Sequence, residues 1–373
     1  MPGRIIHPEF ASEEELAIAN LLKSEDKTME GWKEVNKMAN YRIAVVGPGY
    51  IGIEHMKAIF DNPRAELRTI GGTDRKKLEK LRFERFACER ITTNYEEITE
   101  DKEVDIIYLC TPNRLHADEA VAALEAGKHV FCEKPMATTL EDCQRMVEAV
   151  DKSGCHLMVG HGARFRPLHI AVKELYESGK LGEACFCESD YVHSLKPFLD
   201  APGHQWWRHP DEGQFAVIGG GCHPLDLMRW IVGEFEEASA YGTTKVLHDV
   251  DWDDTVIATL KFKNGAVGKC LVSVGAPRPY AMNFSLYGTE GTVENNHIFL
   301  KAFGEVEQFA EMPLPVLGEV HNCADELEHF LDCLDADEPP MIDVRDGART
   351  VAACLAVAES LETGKPVKVV TEF

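Results

Sequence analysis

Two residues in this chain are of types that could move a proton, and each sits where a strand or helix would hold it. Lys134 follows the apolar run His129-Val-Phe-Cys132 within Glu133-Lys134-Pro135. A lysine at a cleft mouth beside a carboxylate can be tuned toward proton transfer, and Pro135 is placed for a cis bond. Taken alone, Glu-Lys-Pro reads equally well as a solvated turn. His223 opens the helical run Pro224-Leu-Asp-Leu-Met-Arg-Trp-Ile231. A lone histidine there is more often a cap or a satisfied core residue than an acid–base group.

A third signal is Gly47-Pro-Gly49-Tyr50-Ile51-Gly52, a G-x-G-x-x-G loop that follows a strand and opens a helix. The first glycine makes the turn, the second admits a pyrophosphate, and the third allows close helix packing over an anion-binding helix N-terminus. Asp74 lies past the next strand, where a carboxylate can accept from adenosine ribose hydroxyls. That favours NAD, because a 2′-phosphate would face its charge. Arg75 beside it argues the other way, since an arginine can hold that phosphate.

The elements that must position these residues come in two styles. From Tyr41 to Gly160 short apolar strands alternate with helices: 41–46, 67–71, 104–110, 129–132 and 156–160, with a helix over 116–126. That rhythm predicts a parallel sheet covered on both faces. Beyond about residue 165, a helix over 167–178 leads into strand-like runs at 184–193, 238–247, 255–263, 266–274 and 281–287, and Lys263-Asn264-Gly265 signals a hairpin. Helical patterns return at 323–334 and 347–363. The expected fold is an α/β Rossmann domain over 41–161 and an α+β domain over 162–373 with a large open, mostly antiparallel sheet. Residues 1–40 read as an N-terminal arm with two short helices, the first opened by the capping box Ser12-x-x-Glu15.

In this order the motifs resemble the Gfo/Idh/MocA family of sugar and polyol oxidoreductases. The likeness is carried by the glycine loop, Thr111-Pro112-Asn113-x-x-His116, Glu133-Lys134-Pro135 and Gly160-His-Gly-Ala-Arg164-Phe-Arg-Pro167. It continues in Gly219-Gly-Gly-Cys-His223-Pro-Leu-Asp226, Gly288-Thr-Glu-Gly291-Thr and Gly364-Lys-Pro366, so it spans roughly residues 41–370. The resemblance implies that Tyr50, Ile51, Thr111, Pro112, Asn113, His116, Glu133, Lys134 and Arg164 line the cofactor. It further implies that Lys134 reaches the substrate hydroxyl and that His223 stands opposite. Many family members carry an Asp four residues before that histidine; here the position is Gly219. Tyr191, His193, Trp206, Trp207 and Arg208 are the nearby candidates for substrate contact, although the paired tryptophans read equally as core.

A formal net charge of −24 argues against nucleic acid, which needs a compensating basic surface. No apolar run approaches the roughly 20 residues of a membrane span, and no secretory signal is evident, so a cytoplasmic protein is expected. The 12 cysteines sit mostly singly in apolar runs, as reduced thiols do, and no metal is expected. The function expected is an NAD-dependent dehydrogenase acting on a sugar, polyol or glycoside, with a lean toward oxidation of a glycoside at C3, in a homo-oligomer. The alternatives are a simple inositol or monosaccharide dehydrogenase and, from another class, a non-catalytic dinucleotide sensor.

Overall fold

A computed structural model describes residues 40–201, 204–304, 308–316 and 321–373. The helices read for the N-terminal arm fall on residues 1–39, outside the described residues.

The first sheet is built from β1 (Tyr41–Val46), β2 (Ala65–Gly71), β3 (Arg90–Thr92), β4 (Ile106–Leu109), β5 (His129–Glu133) and β6 (Leu157–Gly160). Its order is β3-β2-β1-β4-β5-β6 and every pairing is parallel. The order reverses between β1 and β4, the crevice where open α/β sheets bind ligands. Helices α1 (Tyr50–Asp61), α2 (Arg75–Glu84), α3 (His116–Glu125) and α4 (Leu140–Ser153) make the crossovers. The strands are buried on both faces, as a doubly covered sheet requires: Ile106, Ile107, Tyr108 and Leu109 are fully enclosed. Strand β3 and helix α2 were not legible in the sequence. The strand is three residues long, and α2 is a polar run in which only Leu78 and Leu81 are buried.

After α5 (Pro167–Glu177) comes a mixed nine-stranded sheet. It contains β7 (Ala184–Val192), β8 (Phe235–Thr243), β9 (Thr255–Phe262), β10 (Val267–Ser273), β11 (Ala281–Gly288), β12 (Gly291–Glu294), β13 (His297–Leu300), β14 (Ala310–Glu311) and β15 (Val367–Lys368). Only β7 and β10 pair in parallel; the other pairings are antiparallel. Helices α6 (Cys222–Val232) and α8 (Val344–Thr363) pack on one face, and α7 (Cys323–Ala336) returns to pack on α1 of the first sheet. The strict alternation of β9, with Val256, Ala258, Leu260 and Phe262 inward, leaves Ile257 on the other face with Tyr241 and Val267. All twelve cysteines are free thiols, most of them buried. No helix among the described residues is long and apolar enough to cross a membrane.

Candidate active site

The glycine loop turns where β1 meets α1. Gly47 has φ +88°, and a Cβ there would stand 2.4 Å from the Cys110 carbonyl oxygen. A Cβ on Gly52 would stand 2.2 Å from the Gly47 carbonyl oxygen, so helix and loop touch backbone to backbone. Gly49 has nothing within 4 Å of that position. It faces a cavity of about 1140 Å³ that runs along the carboxyl ends of the strands. The free N–H groups of the first turn of α1 point to the same place and suit an anion.

At this end Gly47, Gly49, Tyr50, Ile51 and Asp74 line the cavity, while Gly52 lies behind them. Asp74 caps α2 through one oxygen, Oδ1, which accepts from the Lys76 and Lys77 amides at 3.0 and 3.2 Å. Oδ2 takes no part in the cap. Arg75 pairs with Glu79 at 3.1 Å on the exposed face of α2 and does not border the cavity. The loop, the open helix end and the free carboxylate oxygen together fit a dinucleotide with an unmodified ribose.

Past the end of β4, Thr111, Pro112, Asn113 and His116 form the middle wall. Thr111 Oγ1 donates to Glu119 Oε2 at 2.5 Å, and burial pushes the Glu119 carboxyl up to about 7 despite that bond. His116 faces the Pro135 and Thr111 carbonyls with its two ring nitrogens, at 2.8 and 2.9 Å, and so braces the wall. Burial lowers its pKa against the pull of both carbonyls.

Glu133 and Lys134 follow at the end of β5, with Lys134–Pro135 in the cis form. Glu133 Oε1 meets His55 Nε2 at 2.8 Å, and its Oε2 accepts from the Lys134 amide at 3.1 Å. Burial raises its pKa, but the His55 hydrogen bond and charge, with Lys134 and His321, outweigh burial and hold the carboxyl low. Lys134 Nζ donates to the Gly219 carbonyl at 3.3 Å and thereby points across the cavity toward the start of α6.

There His223 lies in near-parallel contact with Tyr191, ring centres 5.6 Å apart, and edge-on to His161 at 6.4 Å. Enclosure by protein, and then the positive charge of Lys134, push its pKa well below the ordinary value of 6.5. Both causes favour the uncharged ring. Tyr191, His193, Phe198, Trp206, Trp207 and Tyr280 line the same cavity.

Besides that of Arg75, two further expected contacts are not made. Arg164, expected at the cofactor, is 1% exposed and grips Asp226 with two bonds of 2.8 and 2.6 Å. It also pairs with Asp346 and does not border the cavity. A buried guanidinium needs those carboxylates, and serving them turns it away from the cleft. Arg208 likewise holds the Leu199 carbonyl, Asp200 and Asp249, bracing its own loop behind the tryptophans. Conversely, Gln214, His321 and Glu326 border the cavity and His55 supports Glu133, none of which sequence reasoning named. Glu326 did leave a trace: it occupies a stripe position of α7, four residues before Phe330, where an apolar residue belongs.

A parallel sheet with a dinucleotide loop at its switch point, and a lysine and a histidine lining the same cavity, is the arrangement of a nicotinamide-dependent dehydrogenase. Residues 41–161 match the NAD-binding Rossmann fold of the GFO_IDH_MocA oxidoreductase family, and residues 169–294 match a C-terminal domain of the same family. The chain belongs to the Gfo/Idh/MocA oxidoreductases. It is 28% identical over 291 residues to levoglucosan dehydrogenase of Pseudarthrobacter phenanthrenivorans, covering 70% of this chain and 74% of that one. It is 27% identical over 352 residues to myo-inositol 2-dehydrogenase of Thermotoga maritima, covering 88% and 98%. Among solved structures, levoglucosan dehydrogenase in complex with NADH superposes with a TM-score of 0.80 at 25% identity, over 89% of this chain and all of that one. The chain is thus an NAD-dependent oxidoreductase of a sugar and polyol dehydrogenase family.

Proposed function

We propose that this enzyme oxidises a secondary alcohol of a glycoside in preference to a free sugar or inositol. The observation that carries the reading is the aromatic lining of the cleft. Lys134 and His223 share the cavity with Phe198, Trp206, Trp207 and Tyr280. Phe198 and Trp207 stack with centres 6.3 Å apart and planes 20° apart. Trp252 Nε1 donates to the Trp207 carbonyl at 3.1 Å and anchors that wall. Apolar ring faces suit a sugar's C–H face or an aromatic aglycone, and a free inositol would leave most of that wall wet.

NAD, when bound, supplies the hydride acceptor. Gly47, Gly49, Asp74 and the N-terminus of α1 would hold its nucleotide half, and Thr111, Pro112 and Glu133 would line the nicotinamide side. The chain's own task is the proton. A carbinol loses hydride only as its hydroxyl proton leaves, so a base must lie within hydrogen-bond reach of that oxygen. Neutral His223 accepts the proton, and Lys134, opposite, donates to the same oxygen as negative charge develops on it. His55 and Glu133 fix the lysine's backbone.

The test is a panel of myo-inositol, glucose, levoglucosan and a phenyl glucoside, followed by the absorbance of reduced cofactor. The glycoside reading requires kcat/KM on phenyl glucoside to exceed that on myo-inositol by about tenfold or more, as ~1–3 kcal/mol of extra apolar contact provides. A higher value on myo-inositol would select the simple polyol dehydrogenase, the reading favoured by similarity to inositol dehydrogenases.

A further inference from the structure

Behind Glu133, where α1 meets α7, three side chains of metal-binding type converge. His55 comes from α1, while Cys323 and Glu326 stand three residues apart on the first turn of α7 and share a face. Each offers one donor atom, and these atoms lie within 4.8 Å of one another. All three residues are buried. A second observation is independent of that spacing. Glu133 engages His55 through Nε2, which leaves Nδ1, and Nδ1 is buried with no hydrogen-bond partner. Glu326 Oε1 is buried and unpartnered in the same way. Buried polar atoms are nearly always satisfied, and a single ligand held by both would satisfy these two.

The donor set says which ligand. Sulfur, imidazole nitrogen and a carboxylate oxygen together suit a borderline divalent ion, and three protein donors with one open position is a common zinc arrangement. Donors around a tetrahedral zinc, with bonds of roughly 2.0–2.3 Å, stand about 3.3–3.8 Å apart, which small side-chain rotations reach from here. The Glu133–His55 bond adds a feature that zinc sites use: a ligating imidazole gives its other N–H to a carboxylate, which fixes the ring's aim.

We propose that His55, Cys323 and Glu326 form a zinc-binding site whose fourth position opens toward the main cavity that Glu326 borders. As the bonds to zinc form, the Cys323 thiol loses one proton to solvent, and so does the Glu326 carboxyl, which burial and the charge of Glu133 favour in its protonated form; no electrons are transferred. The ion ties the nucleotide-binding helix α1 to α7, directly behind the Glu133–Lys134 turn. Because α1 and α7 are far apart in sequence, cysteine spacing could not reveal the site.

Cobalt(II) is the probe, since a cobalt–thiolate bond gives a near-ultraviolet charge-transfer band that nitrogen and oxygen donors lack. The full-length chain is titrated with cobalt and then zinc. The expected result is one equivalent of cobalt with that band, displaced by one equivalent of zinc. Cys323→Ser, nearly equal in size, should lose the band, and Glu326→Gln should keep it while binding about tenfold more weakly. Cys185→Ser, which removes an exposed thiol, should change nothing. Absence of stoichiometric uptake by the parent chain overturns the proposal, as does an undiminished band in Cys323→Ser. Should Cys323→Ser not fold, Glu326→Gln binding as tightly as the parent is the overturning result.

Discussion

Gly219 stands where the resemblance places an aspartate, and the structure says what happened to that space. A Cβ built on Gly219 lies 2.1 Å from Gln214 Nε2 and 2.8 Å from its Cδ and Oε1. The Gln214 amide therefore occupies the volume that a side chain at 219 would need. It is 4% exposed and cannot swing into water without loss, because its Oε1 accepts from Asn113 Nδ2 at 2.9 Å. Gly219→Ala must then either compress the site, at about 1–3 kcal/mol, or expel the amide. Expulsion costs the buried hydrogen bond, about 1 kcal/mol net. We expect Gly219→Ala to lose about 2 kcal/mol and Gly219→Asp about 3, since the larger side chain also brings a charge.

Gln214→Ala removes the obstacle, so the double variant should recover much of the loss, with a coupling of about 1–2 kcal/mol. Urea midpoints at unchanged slope measure all four corners of the cycle. The same displacement would disturb the Gly219 carbonyl that Lys134 Nζ holds at 3.3 Å, so turnover of Gly219→Ala should drop as well. Stability of Gly219→Ala within 0.5 kcal/mol of the parent, or strict additivity with Gln214→Ala, would refute this account of the missing carboxylate.

Five shorter predictions rest on the same geometry. Lys134→Ala and His223→Ala should each lower turnover about a hundredfold or more while NAD still binds, by fluorescence titration. Because the folded pKa of His223 lies below the unfolded 6.5, the ring is neutral down to pH 6.5. The acid limb of kcat/KM should fall only below that pH, and the unfolded chain, binding the extra proton first, should gain ground in the same window. Asp74→Ser should weaken NAD more than NADP in a binding titration, by roughly 1.5–3 kcal/mol for a charged hydrogen bond, while serine still caps α2. Asp226→Asn should destabilise by about 3–5 kcal/mol, because the buried Arg164 keeps Asp346 as its one carboxylate and must share it with Arg229, which also holds Glu234; a midpoint shift under 1 kcal/mol would sink that reading. Finally, we infer that a second copy of the chain covers the open sheet face bearing Tyr241, Ile257 and Val267. Light scattering should show an oligomer that Ile257→Lys weakens, and a monomeric parent would remove the inference.

How much of this was legible in sequence depended on whether the signal was local. The strands of the first sheet are apolar runs bounded by glycine or proline, and the strands of the second alternate; both are properties of a few consecutive residues. Most of the longer elements accordingly appear within a few residues of where the patterns put them: β1 at Tyr41–Val46 as read, and α7 at Cys323–Ala336 against an expected 323–334. The glycine loop was legible for the same reason, since turn, anion site and packing contact all fall within six residues. The three-residue β3 carried too few residues for a pattern. The strands β12 and β13 were missed because each is four residues long, with two residues buried in β12 and one in β13.

The site residues that escaped notice are those whose meaning depends on a partner far along the chain. Arg164 looked like a cofactor residue because it sits in a motif beside the cleft, but its direction is decided by Asp226 and Asp346, to which the motif makes no reference. His55 is one more buried position of an amphipathic helix until β5 brings Glu133 to 2.8 Å from it. Gln214 is the sharpest case. From sequence, the glycine at 219 is only a missing carboxylate, an absence without a cause. In the fold it is a consequence: an amide five residues earlier already fills the space, held there by Asn113 from the other domain's wall. The two positions are therefore coupled by volume. A chain carrying aspartate at 219 should need a smaller residue at 214, and that dependence is what the double variant of Gly219 and Gln214 measures.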